Sequence, residues 1–198
     1  MTGRIVPRLG AMSGLLYFVV IVAGSSFGSG DTARRIELVG MLFFLPFLGY
    51  LWSVLRRAEG ADGWLATTAL GAGLAAFIVK IASAAPLLAA NNEADGTRLH
   101  DALARMNDIS FIVTMLPLGV FAAAVAVVTL QTGALPRWLG WFAAATAPAL
   151  IVNGLFFGST EGPAFLLFLL WLVCTSVVLT RRAGSTHVAA VDRRAVVA

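Results

Sequence analysis

The chain has 198 residues, of which 59% are hydrophobic and 12% charged, and its formal net charge is +4. A soluble domain carries about 25% charged residues, so this chain lacks the polar surface that would cover a soluble core. The basic balance does not mark a nucleic-acid binder either, because the arginines flank apolar runs and form no single stripe.

Six apolar stretches follow one another: Leu9–Phe27, Ile36–Leu55, Trp64–Ala90, Ile109–Leu130, Leu139–Phe157 and Pro163–Thr180. A helix of about 20 apolar residues spans roughly 30 Å of hydrocarbon, and each stretch meets or approaches that length. The connectors are short and hold most of the charge. The pattern predicts an all-α, six-helix transmembrane bundle over residues 1–180 and a basic cytoplasmic tail over 181–198.

Arg4 and Arg8 precede the first stretch, which ends in Ala23-Gly24-Ser25-Ser26 and so resembles a secretory signal peptide. Its apolar run is long for a signal core, and it reads as an uncleaved first helix. Glu37 opens the second stretch, and Pro46 lies inside it. Pro86, Pro117 and Pro148 lie inside the third, fourth and fifth. Each proline removes a backbone donor and is expected to kink its helix. Two sets of three spans starting from opposite sides of the membrane have the arrangement of an inverted repeat, with Pro46 and Pro148 in the two middle spans.

Lys80, in the third stretch, is the one basic residue inside a span. It lies sixteen residues past Trp64, about 24 Å along a helix rising about 1.5 Å per residue. An unpaired lysine at the centre of a membrane helix costs about 2.5–3.5 kcal/mol, so a partner inside the bundle is expected. Thr68, Ala72, Ala76, Lys80 and Ala84 share one face of small residues, opposite Leu70, Leu74, Phe77, Ile78 and Ile81. Asn153 in the fifth stretch lies fifteen residues past Trp138, about 22 Å up and at a similar depth. These positions suggest a polar pocket in the outer half, with Lys80 and Asn153 at its floor and Glu37, Asp108 and Glu161 at its rim. The alternative is a structural bond between the third and fifth spans.

The connector Asn91–Asn107 is expected to form a short surface helix with Leu99, Leu103 and Met106 on one face. His100, Asp101, Asp108 and Glu161 share a side, but their spacing matches no metal motif, and a solvated loop is the simpler reading. No metal or cofactor is expected. Cys174 is the lone cysteine, a small packing residue, and Trp171 is expected on lipid-facing or packed apolar surface. Small residues four apart, such as Gly10 and Gly14, Gly119 and Ala123, Gly140 and Ala144, and Gly154 and Gly158, favour close helix contact, either within the bundle or between copies in an oligomer.

Arg4, Arg8, Arg56, Arg57, Arg137, Arg181, Arg182, Arg193 and Arg194 fall on the side of the termini. Arg34, Arg35, Arg98 and Arg105 fall on the other, together with most of the acidic residues. Positive charge collects on the cytoplasmic side, so both termini are expected there. Trp52, Trp64, Trp138 and Trp141 lie at that same end, where indoles favour the headgroup layer. The arginine-dominated, Ala- and Gly-rich composition suggests a bacterial inner membrane.

Arg8-Leu9-Gly10-Ala11-Met12-Ser13-Gly14-Leu15-Leu16-Tyr17-Phe18 and Leu135-Pro136-Arg137-Trp138-Leu139-Gly140-Trp141 resemble segments of uncharacterised six-span bacterial membrane proteins, the domain of unknown function 4386 family. The resemblance implies the six-span fold and no activity. That family's pattern has an acidic residue in the third span, where this chain has Lys80. No nucleophile motif, Walker loop or kinase set is present. The sequence therefore favours a small carrier or ligand-binding membrane protein, with a small-molecule or anionic ligand. A non-catalytic accessory or regulatory subunit is the alternative, and a membrane-embedded enzyme is least favoured.

Overall fold

A computed structural model describes residues 5–26, 31–90, 96–157 and 163–195. Its helices are α1 (Ile5–Ser26), α2 (Asp31–Leu42), α3 (Phe44–Glu59), α4 (Leu65–Ala82), α5 (Ala84–Ala90), α6 (Arg98–Thr132), α7 (Arg137–Val152) and α8 (Pro163–Ala195), with a π-helical turn at Asn153–Phe157 after α7. Among the described residues, 6 helical segments are long and apolar enough to cross a membrane. Two of these, Arg35–Glu59 and Leu65–Pro86, are each built from two helices.

Proline chemistry explains both interruptions. Pro46 cannot donate to the carbonyl of Leu42, nor Pro86 to that of Ala82, and each ring crowds that carbonyl. α2 ends at Leu42 and α4 at Ala82. Phe43 then turns more tightly, its N–H donating to the Gly40 carbonyl at 3.0 Å. Pro117 and Pro148 have a different outcome: α6 and α7 run on through them, and the π turn follows Pro148 by five residues.

The connector ahead of the fourth span is also different from the expectation. No separate surface helix forms over the described residues of 91–107. α6 starts at Arg98 and continues into the span, capped by the Thr97 hydroxyl, which accepts from the His100 N–H. This cap and the favourable start of the helix let the apolar periodicity run on unbroken.

The spans neighbour one another in chain order. α1 packs on α2, α3 and α8, then α3 on α4, α4 on α6, α6 on α7 and α7 on α8, so the first span closes the ring on the last. Aromatic rings fill the middle. Phe44, Phe47, Phe121, Phe168 and Trp171 are buried there, with Phe121 edge-on to both Phe168 and Trp171. Trp171 is fully buried, and its indole N–H donates to the Leu139 carbonyl at 3.2 Å. The outward positions are apolar as well: Leu16, Val19, Ile78, Val127, Leu166 and Leu170 are exposed, as suits a bundle whose solvent is hydrocarbon.

Close backbone approach holds the ring together. A Cβ on Gly119 would lie 2.5 Å from Ile151 Cγ1 and 3.1 Å from the Ala147 carbonyl, so α6 can approach α7 only because no side chain intervenes. Gly14 likewise sits against Phe47 of α3 and Ser176 of α8. The connector between α3 and α4 is held by Arg56, whose guanidinium donates to the Ala61 and Gly63 carbonyls. Glu59 accepts from the first N–H groups of α4, Leu65 at 2.9 Å and Ala66 at 2.8 Å. Arg182 from α8 donates to the Ala134 carbonyl in the next connector at this end.

Candidate functional site

The buried stripe of α4 reads Ala66, Ala69, Gly73 and Ala76, at alternating spacings of three and four. Lys80 continues it, with buried Ser83 one step further. Small residues let α4 lie close to its neighbours, and a residue that continues the buried stripe faces the bundle interior. The long Lys80 side chain is thereby aimed into the bundle.

There it meets Glu37 of α2. The Lys80 ammonium lies 3.0 Å from Glu37 Oε1, with the two side chains 16% and 38% exposed, respectively. The same ammonium stands 4.9 Å from the centroid of the Phe111 ring on α6, on whose face a cation is attracted by the ring quadrupole. Phe111 is in turn edge-on to Phe165 at 5.0 Å, and Phe165, Phe168 and Trp171 form a ladder down α8. An intramembrane lysine thus has both a counter-charge and a polarisable wall.

The pair lines a cavity of about 50 Å³, measured to the centres of water-sized molecules. A buried water needs about 10–15 Å³ on that measure, so the space holds a few waters or a small ligand group. Its walls come from α1, α2, α3, α4, α6 and α8. Phe44, Phe77, Phe111, Phe165 and Phe168 supply the aromatic part, while Tyr17 and Thr114 add hydroxyls. A second, smaller cavity is lined by Ser83, Ala84, Leu88 and Asn107. Glu37, Met41 and Lys80 line both, so the ion pair stands where the two cavities meet.

The other residues singled out from sequence have separate places. Asn153 is buried at the start of the π turn and donates its amide N–H to Met115 Sδ on α6; it does not line either cavity. Asp108 is exposed near the start of the fourth span, within reach of the Asn107 amide at 3.5 Å. Glu161 lies outside the described residues. Among the described residues no group of three or more His, Cys, Asp or Glu is placed to hold a metal ion. Sequence reasoning did not single out Tyr17, Phe111 or Thr114. A tyrosine or threonine within an apolar stretch, facing the same way as the lysine, is the signal that points to such residues.

No protein-family model, curated protein or solved structure matches this chain.

Proposed function

We propose that this multi-pass membrane protein binds a small molecule in the cavity beside Lys80 and Glu37, as a ligand-binding membrane protein or a small carrier. The observation that carries the reading is the ion pair itself, made between two spans and facing a cavity. Taking two charges into a membrane is costly, and a pair that only joined helices would be replaced by apolar side chains at little loss. Intramembrane ionisable groups of this kind mark ligand or ion pathways.

The arginine distribution supports placing both termini in the cytoplasm of a bacterial cell and the cavity in the outer half of the inner membrane. The likeness to six-span proteins of the domain of unknown function 4386 family adds a fold to this reading and no activity. Met41, which lines both cavities, provides the test. In a Cys174→Ala background, Met41→Cys should react with a membrane-impermeant methanethiosulfonate added from outside intact cells. Failure to react from either side of the membrane, in a variant that still folds, would remove the ligand site and favour a non-catalytic accessory subunit.

A further inference from the structure

We propose that the ligand is a small zwitterion with an apolar body, and that it binds by inserting its two charges into the Glu37–Lys80 pair. This rests on the ligand-site reading above and names its chemistry. The ligand's ammonium takes the Glu37 carboxylate, its carboxylate takes the Lys80 ammonium, and its body lies among Phe44, Phe77 and Phe165.

The argument is one of charge balance. Among the described residues that line the two cavities, Glu37 and Lys80 are the only charged side chains, and their charges cancel. An anion that captured Lys80 would leave Glu37 without a counter-charge. A cation that captured Glu37 would leave Lys80 with only the Phe111 ring. The lining offers hydroxyls and one amide but no further charge, so breaking the pair leaves a charge uncompensated, which is the costly outcome. A zwitterion leaves neither charge unpaired, because each of its groups replaces the partner that it displaces.

The geometry suits that exchange. The lysine stem is flexible and carries a compact ammonium, so Nζ can withdraw from Glu37 without moving the backbone. The Phe111 ring, 4.9 Å from the ammonium, offers it a favourable face beside the carboxylate. The pair stands at the junction of the two cavities, so a headgroup arriving through the smaller one meets both charges before the ligand body reaches the aromatic space. The larger cavity holds a few waters or a small ligand group, so the ligand is small and its charged end shares the junction with the second cavity.

Two matched probe sets test this on the full-length protein in detergent by equilibrium dialysis. One is L-leucine with 4-methylpentanoate and 3-methylbutylamine, and the other is L-phenylalanine with 3-phenylpropionate and phenethylamine. At least one zwitterion should bind, and at least tenfold more tightly than its own anion and cation. Glu37→Lys and Lys80→Glu should each abolish that binding, while the double exchange, which restores the pair in reverse, should recover it. If the single variants do not fold, the comparison of matched probes on the unaltered chain is decisive. Binding of a singly charged probe as tightly as its zwitterion, or binding of none of the six, overturns the inference. Met41→Cys labelling is read independently of these probes, so a reactive Met41→Cys beside a failed zwitterion leaves the ligand site standing with a different ligand.

Discussion

Glu37 and Lys80 sit on unequal pieces of broken helices: Glu37 on α2, the short piece cut off ahead of Pro46, and Lys80 on α4, the longer piece ahead of the break at Ser83. Their ion pair therefore ties a separable segment of the second span to the body of the third. Only a few other contacts join α2 to α4, so the pair carries much of that link.

Removing either charge should destabilise the fold. Lys80→Met and Glu37→Gln are each expected to cost about 1–3 kcal/mol, the range for losing a hydrogen bond to a charged group and stranding its partner. The double variant should cost clearly less than the sum, since residues in direct contact are not additive. Melting temperatures of the two singles and the double in detergent measure this; strict additivity would show that the pair does not act as a unit.

The connector between α3 and α4 depends on one carboxylate. Glu59→Ala strips two N–H groups at the start of α4 of their acceptor and should cost about 0.5–2 kcal/mol. Glu59→Gln keeps an acceptor oxygen and should cost less. Amide exchange at Leu65 and Ala66 should rise in the alanine variant, and unchanged exchange there would contradict the cap.

Gly119 is a point where α6 meets α7 with no room for a side chain. Gly119→Val should destabilise by about 1–3 kcal/mol through overpacking. Adding Ile151→Ala should recover part of that loss by vacating the space that the new side chain enters. A thermal-melt series across the single and double variants reads the recovery, and no recovery would place the strain elsewhere.

Ala61 and Gly96 lie in connectors at opposite ends of the bundle. Reporter fusions should give a cytoplasmic signal at Ala61 and an external one at Gly96. The reverse pair of signals would invert the orientation inferred from the arginines while leaving the helix packing unchanged.

All six spans were legible from apolar length alone, because a membrane allows few alternatives to a helix. The inward aim of Lys80 was legible in part, from Ala76; the rest of the buried stripe is Ala66, Ala69 and Gly73, while Thr68, Ala72 and Ala84 of the face read from sequence are only part-buried. The partner of Lys80 was harder to read. Distance from Trp64 and Trp138 puts Lys80 and Asn153 at one depth, but depth says nothing of lateral order. The ring interposes the fourth span between the third and the fifth, and Asn153 meets Met115 of that fourth span instead. Glu37 reads from sequence only as a rim carboxylate opening the second stretch, and the lengths of the stretches do not reveal the turn at Phe43 or the pairing of Glu37 with Lys80. Trp171 is expected on lipid-facing or packed apolar surface because an indole in mid-span carries no sign of its side; the structure buries it against Phe121 and Phe168, with its N–H on the Leu139 carbonyl.

Because the first span packs on the last, the order of neighbours has no natural beginning. A circular permutant opened in the connector at Gly60–Gly63, with its old ends joined by a flexible linker, would retain the same adjacent pairs of spans. Its new ends would also emerge at the same face as the old ones, since two spans would have moved from the front of the chain to the back. Insertion from the ribosome would then begin with the Lys80 span, before Glu37 exists to neutralise it. The permutant would thus separate what the finished bundle needs from what the membrane accepts first.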